Sequence, residues 1–156
     1  MADKIIGVDS TGTELLTNAM KTLLNQHPST DEPIRFEQLS EDGGIAFSAD
    51  NGALITSEKI SVTGKVSQKC TYPFYIVYRV SGTAERQKMA AQTFLDGIGR
   101  WLCGELPDKP ALPQLSGGRE IKRITRANSY GVAPNSNHVQ DWLLPITVQY
   151  TNEFYR

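Results

Sequence analysis

The stretch that decides the fold is Tyr72-Pro73-Phe74-Tyr75-Ile76-Val77-Tyr78-Arg79-Val80, the run of this chain richest in aromatic and β-branched residues. Such residues favour strands, because their side chains pack well on a pleated surface. Upstream, apolar and polar residues alternate over 34–39, 45–49 and 60–66, which is the strand period. Short links such as Asp50-Asn51-Gly52 leave no room for crossover helices. We therefore expect an antiparallel meander over about residues 33–82, with a hairpin turn at 40–44.

One amphipathic helix is predicted on each side of this meander. The first covers about residues 14–26, where apolar side chains recur at helical spacing, with Thr11 or Thr13 as N-cap. The second covers about residues 84–103, with Thr83 as N-cap. Glycines 97 and 99 within it indicate either close packing of another backbone or a weakened last third.

The remainder of the chain predicts two more strands. Residues 119–126 alternate loosely, and residues 142–154 form the last strand, in which Pro145 favours an edge position or a strand start. Between the elements lie a proline-rich loop at 105–118 and a polar, irregular segment at 128–141. The order helix, strands, helix, strands predicts an α+β fold, with a mainly antiparallel sheet and two principal helices packed on it. We expect a single domain over residues 1–156 with a short N-terminal arm.

Composition excludes several classes of protein. A chain of 156 residues suits one domain, and its 16 basic and 17 acidic side chains argue against a dedicated nucleic-acid binder. Two cysteines and two histidines are too few for a disulfide framework or a typical zinc site. The apolar runs are too short for a membrane span, and no signal peptide is recognisable, so a soluble, cytosolic protein is expected.

One local motif resembles a catalytic one. Gly7-Val8-Asp9-Ser10-Thr11-Gly12-Thr13 resembles the phosphate loop of actin-like and sugar-kinase ATPases, but its spacing is off by one residue and that fold needs two large lobes. The favoured interpretation is a capped helix start. No P-loop, dinucleotide fingerprint or nucleophile elbow is present, and the lone histidines and cysteines have structural explanations. We expect no catalytic, cofactor-binding or metal-binding residues.

The charges are unevenly distributed. Residues 1–78 carry 6 basic and 10 acidic side chains, and residues 79–156 carry 10 and 7. The basic residues of the strand predicted at 119–126 have two interpretations. Either they face phosphates or an acidic neighbouring subunit, or they form a solvated face whose charges prevent pairing at a sheet edge. The C-terminal aromatic and arginine side chains suit an interface anchor or pack on the chain's own core. The candidate interface residues are Arg119, Lys122, Arg123, Arg126, Phe154, Tyr155 and Arg156.

Several stretches, taken in order, resemble a phage pattern. They are Tyr72–Thr83, Phe94–Leu102, Leu112-Pro113, Gly117-Gly118-Arg119, Ile124-Thr125-Arg126, and Asp141-Trp142 followed by Ile146–Phe154. Over about residues 33–156, this order and spacing resemble the small minor capsid or tail terminator proteins in the tail modules of long-tailed bacteriophages and prophages of Gram-positive bacteria.

The resemblance implies a virion structural protein without catalytic residues. It implies a homo-hexameric ring that caps the tail tube, stops its polymerisation and joins the tail to the head. The implied partners are the major tail tube protein and head–tail connector proteins, with genomic DNA passing through the lumen. The implied location is the tail or neck of the virion, and the host cytoplasm during assembly. The alternatives are a head–tail connector or head-completion protein, and a small nucleotide-handling enzyme that uses Asp9–Thr13.

Overall fold

The computed structural model describes residues 5–26, 35–36, 44–48, 52–81, 85–105, 107, 112–115, 117–126, 131–134 and 139–155. These residues form two helices and eight strands joined in one sheet, which confirms the predicted α+β class with a mainly antiparallel sheet. The elements are β1 (Gly7–Val8), α1 (Ser10–Leu24), β2 (Arg35–Phe36), β3 (Gly44–Ser48), β4 (Leu54–Ile60), β5 (Lys65–Ser81), α2 (Glu85–Leu102), β6 (Arg119–Arg126), β7 (Gly131–Pro134) and β8 (Val139–Tyr155).

Two long strands form the centre of the sheet. Strands β5 and β8 have 17 residues each and pair antiparallel along their whole length, from Lys65 opposite Tyr155 to Ser81 opposite Val139. The other flank of β5 is shared end to end by β4 and β3, and the other flank of β8 by β6 and β7. The sheet therefore has two halves, β1-β4-β5-β8-β6 and β2-β3-β5-β8-β7, which are joined through the two long strands.

Each long strand contains a proline where its outer flank changes partner. In β5, residues up to Thr71 pair with β4, and residues from Tyr75 onward pair with β3. Pro73 lies between these two parts. Pro145 lies between the parts of β8 that pair with β7 and with β6. Proline has no backbone N–H to donate, so it fits where no strand is paired on one side. Pro145 is therefore neither at a strand start nor in an edge strand, as the sequence predicted, but inside the central strand β8 at a gap in its outer pairing.

The predicted meander is also corrected. Strands β3 and β4 both pair with β5 rather than with each other, because β5 is long enough to hold both. The expected hairpin is also corrected, since β2 pairs parallel to β3, with Arg35 opposite Ala46, whereas a hairpin would pair them antiparallel. The predicted turn itself, apart from Gly44, lies outside the described residues. The segment expected to be irregular at 128–141 contains β7 and the start of β8. Strand β7 occupies the stretch of β8 that β6 leaves unpaired.

Both helices pack on one face of the sheet. Helix α1 starts four residues before the predicted 14–26 segment, and α2 lies within the predicted 84–103. Residues 27–28, 83 and 127–130 lie outside the described part of the chain. The buried side chains that join helices and sheet are Leu16, Met20, Leu23, Leu24, Leu95, Ile98, Trp101, Leu102, Tyr72, Phe74, Ile76, Leu144, Ile146, Val148 and Tyr150. Within the described residues, no helix is long and apolar enough to cross a membrane.

The two glycines of α2 differ in their surroundings. A Cβ at Gly99 would lie 2.9 Å from Cδ of Arg126 and 3.0 Å from a methyl carbon of Leu144. Side chains, rather than the expected backbone, therefore approach the helix closely there. Nothing lies within 4 Å of a Cβ built on Gly97, and the helix continues to Leu102 despite both glycines.

Candidate interaction surfaces

Asp9 joins three elements through one buried carboxylate. Its Oδ1 accepts a hydrogen bond from the Gly12 backbone N–H at 3.0 Å, and both oxygens accept from the Arg119 guanidinium at 2.8 and 3.0 Å. The Tyr150 hydroxyl donates to Oδ2 at 2.8 Å. The Asp9 and Arg119 side chains are only 8% and 11% exposed. The start of α1 is thereby tied to β6 and β8.

The carboxylate is held in its charged form. Burial alone would raise the pKa of Asp9, but hydrogen bonds from Arg119, Gly12 and Tyr150 outweigh burial, so this pKa lies below its ordinary value. Burial, followed by the hydrogen bond to Asp9, raises the pKa of Tyr150, which therefore stays neutral and donates its proton. The Asp9 hydrogen bond raises the pKa of Arg119.

Asp9, rather than Thr11 or Thr13, is the N-cap of α1. It accepts from the Gly12 N–H, which would otherwise lack a partner at the helix start. The Thr13 hydroxyl instead donates to the Asp9 carbonyl at 2.9 Å and accepts from the Ala53 N–H at 2.8 Å, which fixes the approach to β4. The interpretation of the motif as a capped helix start is confirmed, with a different cap.

Gly12 has a steric reason to be glycine. A Cβ at this position would collide with the Asp9 carboxylate and would lie 2.6 Å from the Tyr150 hydroxyl oxygen. Both the Thr-Gly-Thr pattern and its resemblance to a phosphate loop thus have a packing explanation.

A cleft of about 400 Å³ lies beside this cluster, between the helix start and strands β4 and β8. Its charged lining residues, among those described, are Asp9 and Arg119, which pair with each other. Among the described lining residues, Arg119 is therefore the only cation that could bind a phosphate, and Asp9 already neutralises its charge. This weakens the physical case for the nucleotide-handling alternative.

The basic residues predicted on β6 do not form one common surface. Arg119 is committed to Asp9, and Arg126 donates to Glu105 at 3.1 Å with its side chain mostly covered. Lys122 is exposed and pairs with Glu120 at 2.9 Å, and Arg123 is exposed. Of the four, Lys122 and Arg123 are available to a neighbouring molecule.

The C-terminal candidate residues also differ in how exposed their side chains are. Phe154 is half-buried opposite Val66, and Tyr155 is 71% exposed opposite Lys65. Arg156 lies outside the described residues. Phe154 therefore packs partly on the chain's own fold, whereas Tyr155 faces outward, and its role as an interface anchor stays a prediction.

A second surface was not singled out from the sequence. Ile60 is 55% exposed at the end of β4, and Val62 is fully exposed in the turn to β5. Tyr155 lies at this same end, since it pairs with Lys65 directly after the turn, but on the sheet face opposite to Ile60, which pairs with the buried Val66. We call Ile60, Val62 and Tyr155 the hairpin end. Val62 inside the polar, glycine-containing turn Ser61-Val62-Thr63-Gly64 is the sequence signal that could have revealed it, because apolar side chains are unusual in such turns.

A third surface is a groove of about 420 Å³ along α1. Helix residues Leu15, Ala19 and Leu23 form one wall, and the segment 113–115 forms the other. Ala19 and Leu115 also pack against the core, so the floor of the groove is continuous with it. We call this surface the α1 groove. It uses part of the 105–118 loop, whose role the sequence did not assign.

The described residues contain no group of three or more histidine, cysteine, aspartate or glutamate side chains placed to hold a metal ion. Both cysteines are free; burial raises the pKa of Cys70 and raises that of Cys103 to about 11. Comparison of the chain with models of known protein families and with curated proteins finds no match in either set.

Proposed function

We propose that this chain is a ring-forming subunit of a phage tail, a tail terminator that caps the tail tube and joins it to the head. The observation that supports self-assembly best is the hairpin end. Ile60, Val62 and Tyr155 are all exposed at one end of the sheet, on a chain whose core is already closed by two helices. Apolar side chains left exposed near one another are typical of protein interaction sites.

The sheet suits a subunit that must keep its shape. Two fully paired long strands span the molecule, and buried contacts such as that between Asp9 and Arg119 fix the helix start to them. A ring needs each copy to present the same two surfaces at a constant angle, since a heterologous contact closes only when its rotation repeats. The resemblance in the order of strands and helices supplies the phage assignment.

In the proposed ring, exposed basic side chains of β6 lie at the rim of the contact between neighbouring subunits. Exposed Lys122 and Arg123 on β6 belong to the basic half of the chain, and a neighbour's acidic half is the expected partner. Rim charges of this kind steer association and fix its register more than they add affinity. The tail tube protein, the head–tail connector proteins and DNA in the lumen are the further partners of the proposed ring.

A nonsense mutation in the gene, in the genome that carries it, tests the proposal. Electron micrographs of lysates should show tails longer than normal and not joined to heads, and a wild-type copy supplied in trans should restore normal particles. Tails of normal length that fail to join heads would favour the connector alternative. Unchanged particles would contradict both. A major tail tube gene directly downstream is a further expectation that can be checked in the genome.

A further inference from the structure

We propose that the cleft beside Asp9 binds a neutral sugar of the size of one hexose ring. This inference goes beyond the proposed function, because a ring subunit needs no small-molecule ligand. It starts from Asn152, a residue of β8 that lines the cleft and is only 6% exposed. Among the described residues, no group donates a hydrogen bond to the Oδ1 atom of Asn152.

The direction of the Asn152 amide is fixed by its neighbours. Gln68 Nε2 donates to Glu58 Oε1 at 2.9 Å, so the Gln68 side-chain oxygen is the atom that accepts from Asn152 Nδ2, at 3.2 Å. A carboxylate can only accept, and therefore neither amide can be turned around without placing two acceptors against each other. The group of Asn152 without a partner is thus an acceptor, and a buried acceptor without a donor is costly.

The charges around the cleft favour a neutral ligand. Each Asp9 oxygen already accepts two hydrogen bonds, from Gly12, Arg119 and Tyr150, and the Arg119 charge is balanced by this carboxylate. The Asn152 oxygen needs an N–H or O–H group and repels an anion. A cation would lack a partner, since the described lining residues include no acidic side chain besides Asp9. A ligand that donates without carrying a charge meets these conditions.

Residues with hydrogen-bonding side chains line the cleft on three sides. They are Ser10 and Thr11 at the start of α1, Gln68 and Asn152 on the two long strands, and Arg119 on β6. A sugar ring has hydroxyl groups around its whole perimeter, and each can both donate and accept. A peptide bond has a single donor and a single acceptor, and a nucleobase has polar groups along its edge alone. The arrangement therefore fits a sugar best.

Apolar residues complete the lining. The half-buried Phe154 borders the cleft together with Ile55. The C–H groups of a sugar ring are slightly positive and pack favourably on the negative face of an aromatic ring. The volume of about 400 Å³ lies within the range of small-molecule sites and is far more than one water molecule needs. Polar groups on several sides beside an aromatic ring point to a hexose.

NMR titration of the ¹⁵N-labelled chain tests the site. Glucose, galactose, mannose and N-acetylglucosamine are each added up to about 50 mM, which detects weak binding of a single sugar unit. At least one of them should shift the side-chain amide signals of Asn152 and the backbone signals of Ser10 and Thr11 in a saturable way. Inorganic phosphate should shift these signals less. Absence of saturable shifts at these residues with all four sugars, or tighter binding of phosphate, would overturn the proposal.

Asn152→Leu separates binding from a structural role. Leucine keeps the branched shape and removes the acceptor without a partner, so the melting temperature should stay the same or rise. The affinity for the sugar should fall at least about tenfold, as expected for one lost hydrogen bond. Gln149→Leu is the matched control, because Gln149 is exposed on the same strand but on the sheet face away from the helices, and it should bind as wild type does.

A second variant covers the case in which Asn152→Leu does not fold. Thr11 is exposed at the start of α1, so Thr11→Ala should keep the wild-type melting temperature and weaken sugar binding several-fold. Wild-type affinity in folded Asn152→Leu or in Thr11→Ala, or an equal loss in Gln149→Leu, would show that the sugar does not bind in this cleft.

Discussion

Replacement of Asp9 by alanine should be among the most destabilising single changes outside the apolar core. The substitution removes the N-cap of α1, which costs about 1 kcal/mol. It also leaves the Arg119 guanidinium, 11% exposed, without its partner, and removing one member of a buried pair costs roughly 3–5 kcal/mol. Because the two effects share one carboxylate they do not simply add, and we expect a total loss of about 3–5 kcal/mol.

Urea unfolding followed by tryptophan fluorescence measures this loss. The midpoint should fall while the slope stays constant, as expected for a change in stability alone. Asp141→Ala is the matched control: Asp141 also makes a two-bond contact to an arginine, Arg79, at 2.7 and 3.0 Å, but caps no helix and is more exposed. It should lose clearly less. A loss at Asp9→Ala below about 1 kcal/mol, the value of a cap alone, would refute the description of Arg119 as a buried, dependent charge.

The same carboxylate gives stability a pH dependence with a definite sign. The pKa of Asp9 is lower in the folded chain than in the unfolded one, so its contribution is complete above the unfolded value and is lost as the pH falls through the folded value. Between about pH 5 and pH 3, wild type should therefore lose more stability than Asp9→Asn, which cannot titrate. Parallel curves for the two proteins would refute the assignment.

Four further outcomes are expected. Gly12→Ala should destabilise by about 2 kcal/mol or more, because its Cβ displaces the Asp9 carboxylate; an unchanged urea midpoint would argue against the close packing. Tyr155→Ser should leave the free energy of unfolding within about 0.5 kcal/mol of wild type but reduce assembly of the proposed ring in sedimentation; a large loss of stability would place Tyr155 in the core. Cys103, with its pKa raised to about 11, should react slowly with iodoacetamide at neutral pH; fast alkylation of the folded chain would contradict its burial. Millimolar ATP with Mg²⁺ should not shift the melting temperature, and a clear rise would instead support nucleotide binding at Asp9–Thr13.

Local patterns in the sequence located both helices and most of the longer strands, but not the short strands β1 and β7 or the arrangement of the sheet. The periodicity of apolar residues located both helices, and the aromatic run at 72–80 located the centre of β5, because these signals depend on neighbours in the chain. The pairing of β3 and β4 with the same flank of β5 depends on the length of that strand. Its length is set by β8, which lies far along the chain.

For the candidate surfaces, too, the sequence identified single residues but not which of them lie together in the fold. Asp9 and Arg119 were each noticed for separate reasons, but no local pattern connects residues that meet only after β6 is placed beside β8. Tyr155 was singled out from the sequence as a possible contact residue, and it is exposed. That it lies at the same end of the sheet as Val62 follows only from the register between Lys65 and Tyr155.

The pairing of β5 with β8 has a consequence for how fast the chain folds. The pair cannot form until the chain between Ser81 and Val139 has closed into a loop that contains α2, β6 and β7. Closure of such a loop costs conformational entropy before any ladder contact compensates for it, and folds dominated by distant contacts reach the native state in milliseconds to seconds. Mutations that weaken the middle of the pairing between β5 and β8 should therefore slow refolding.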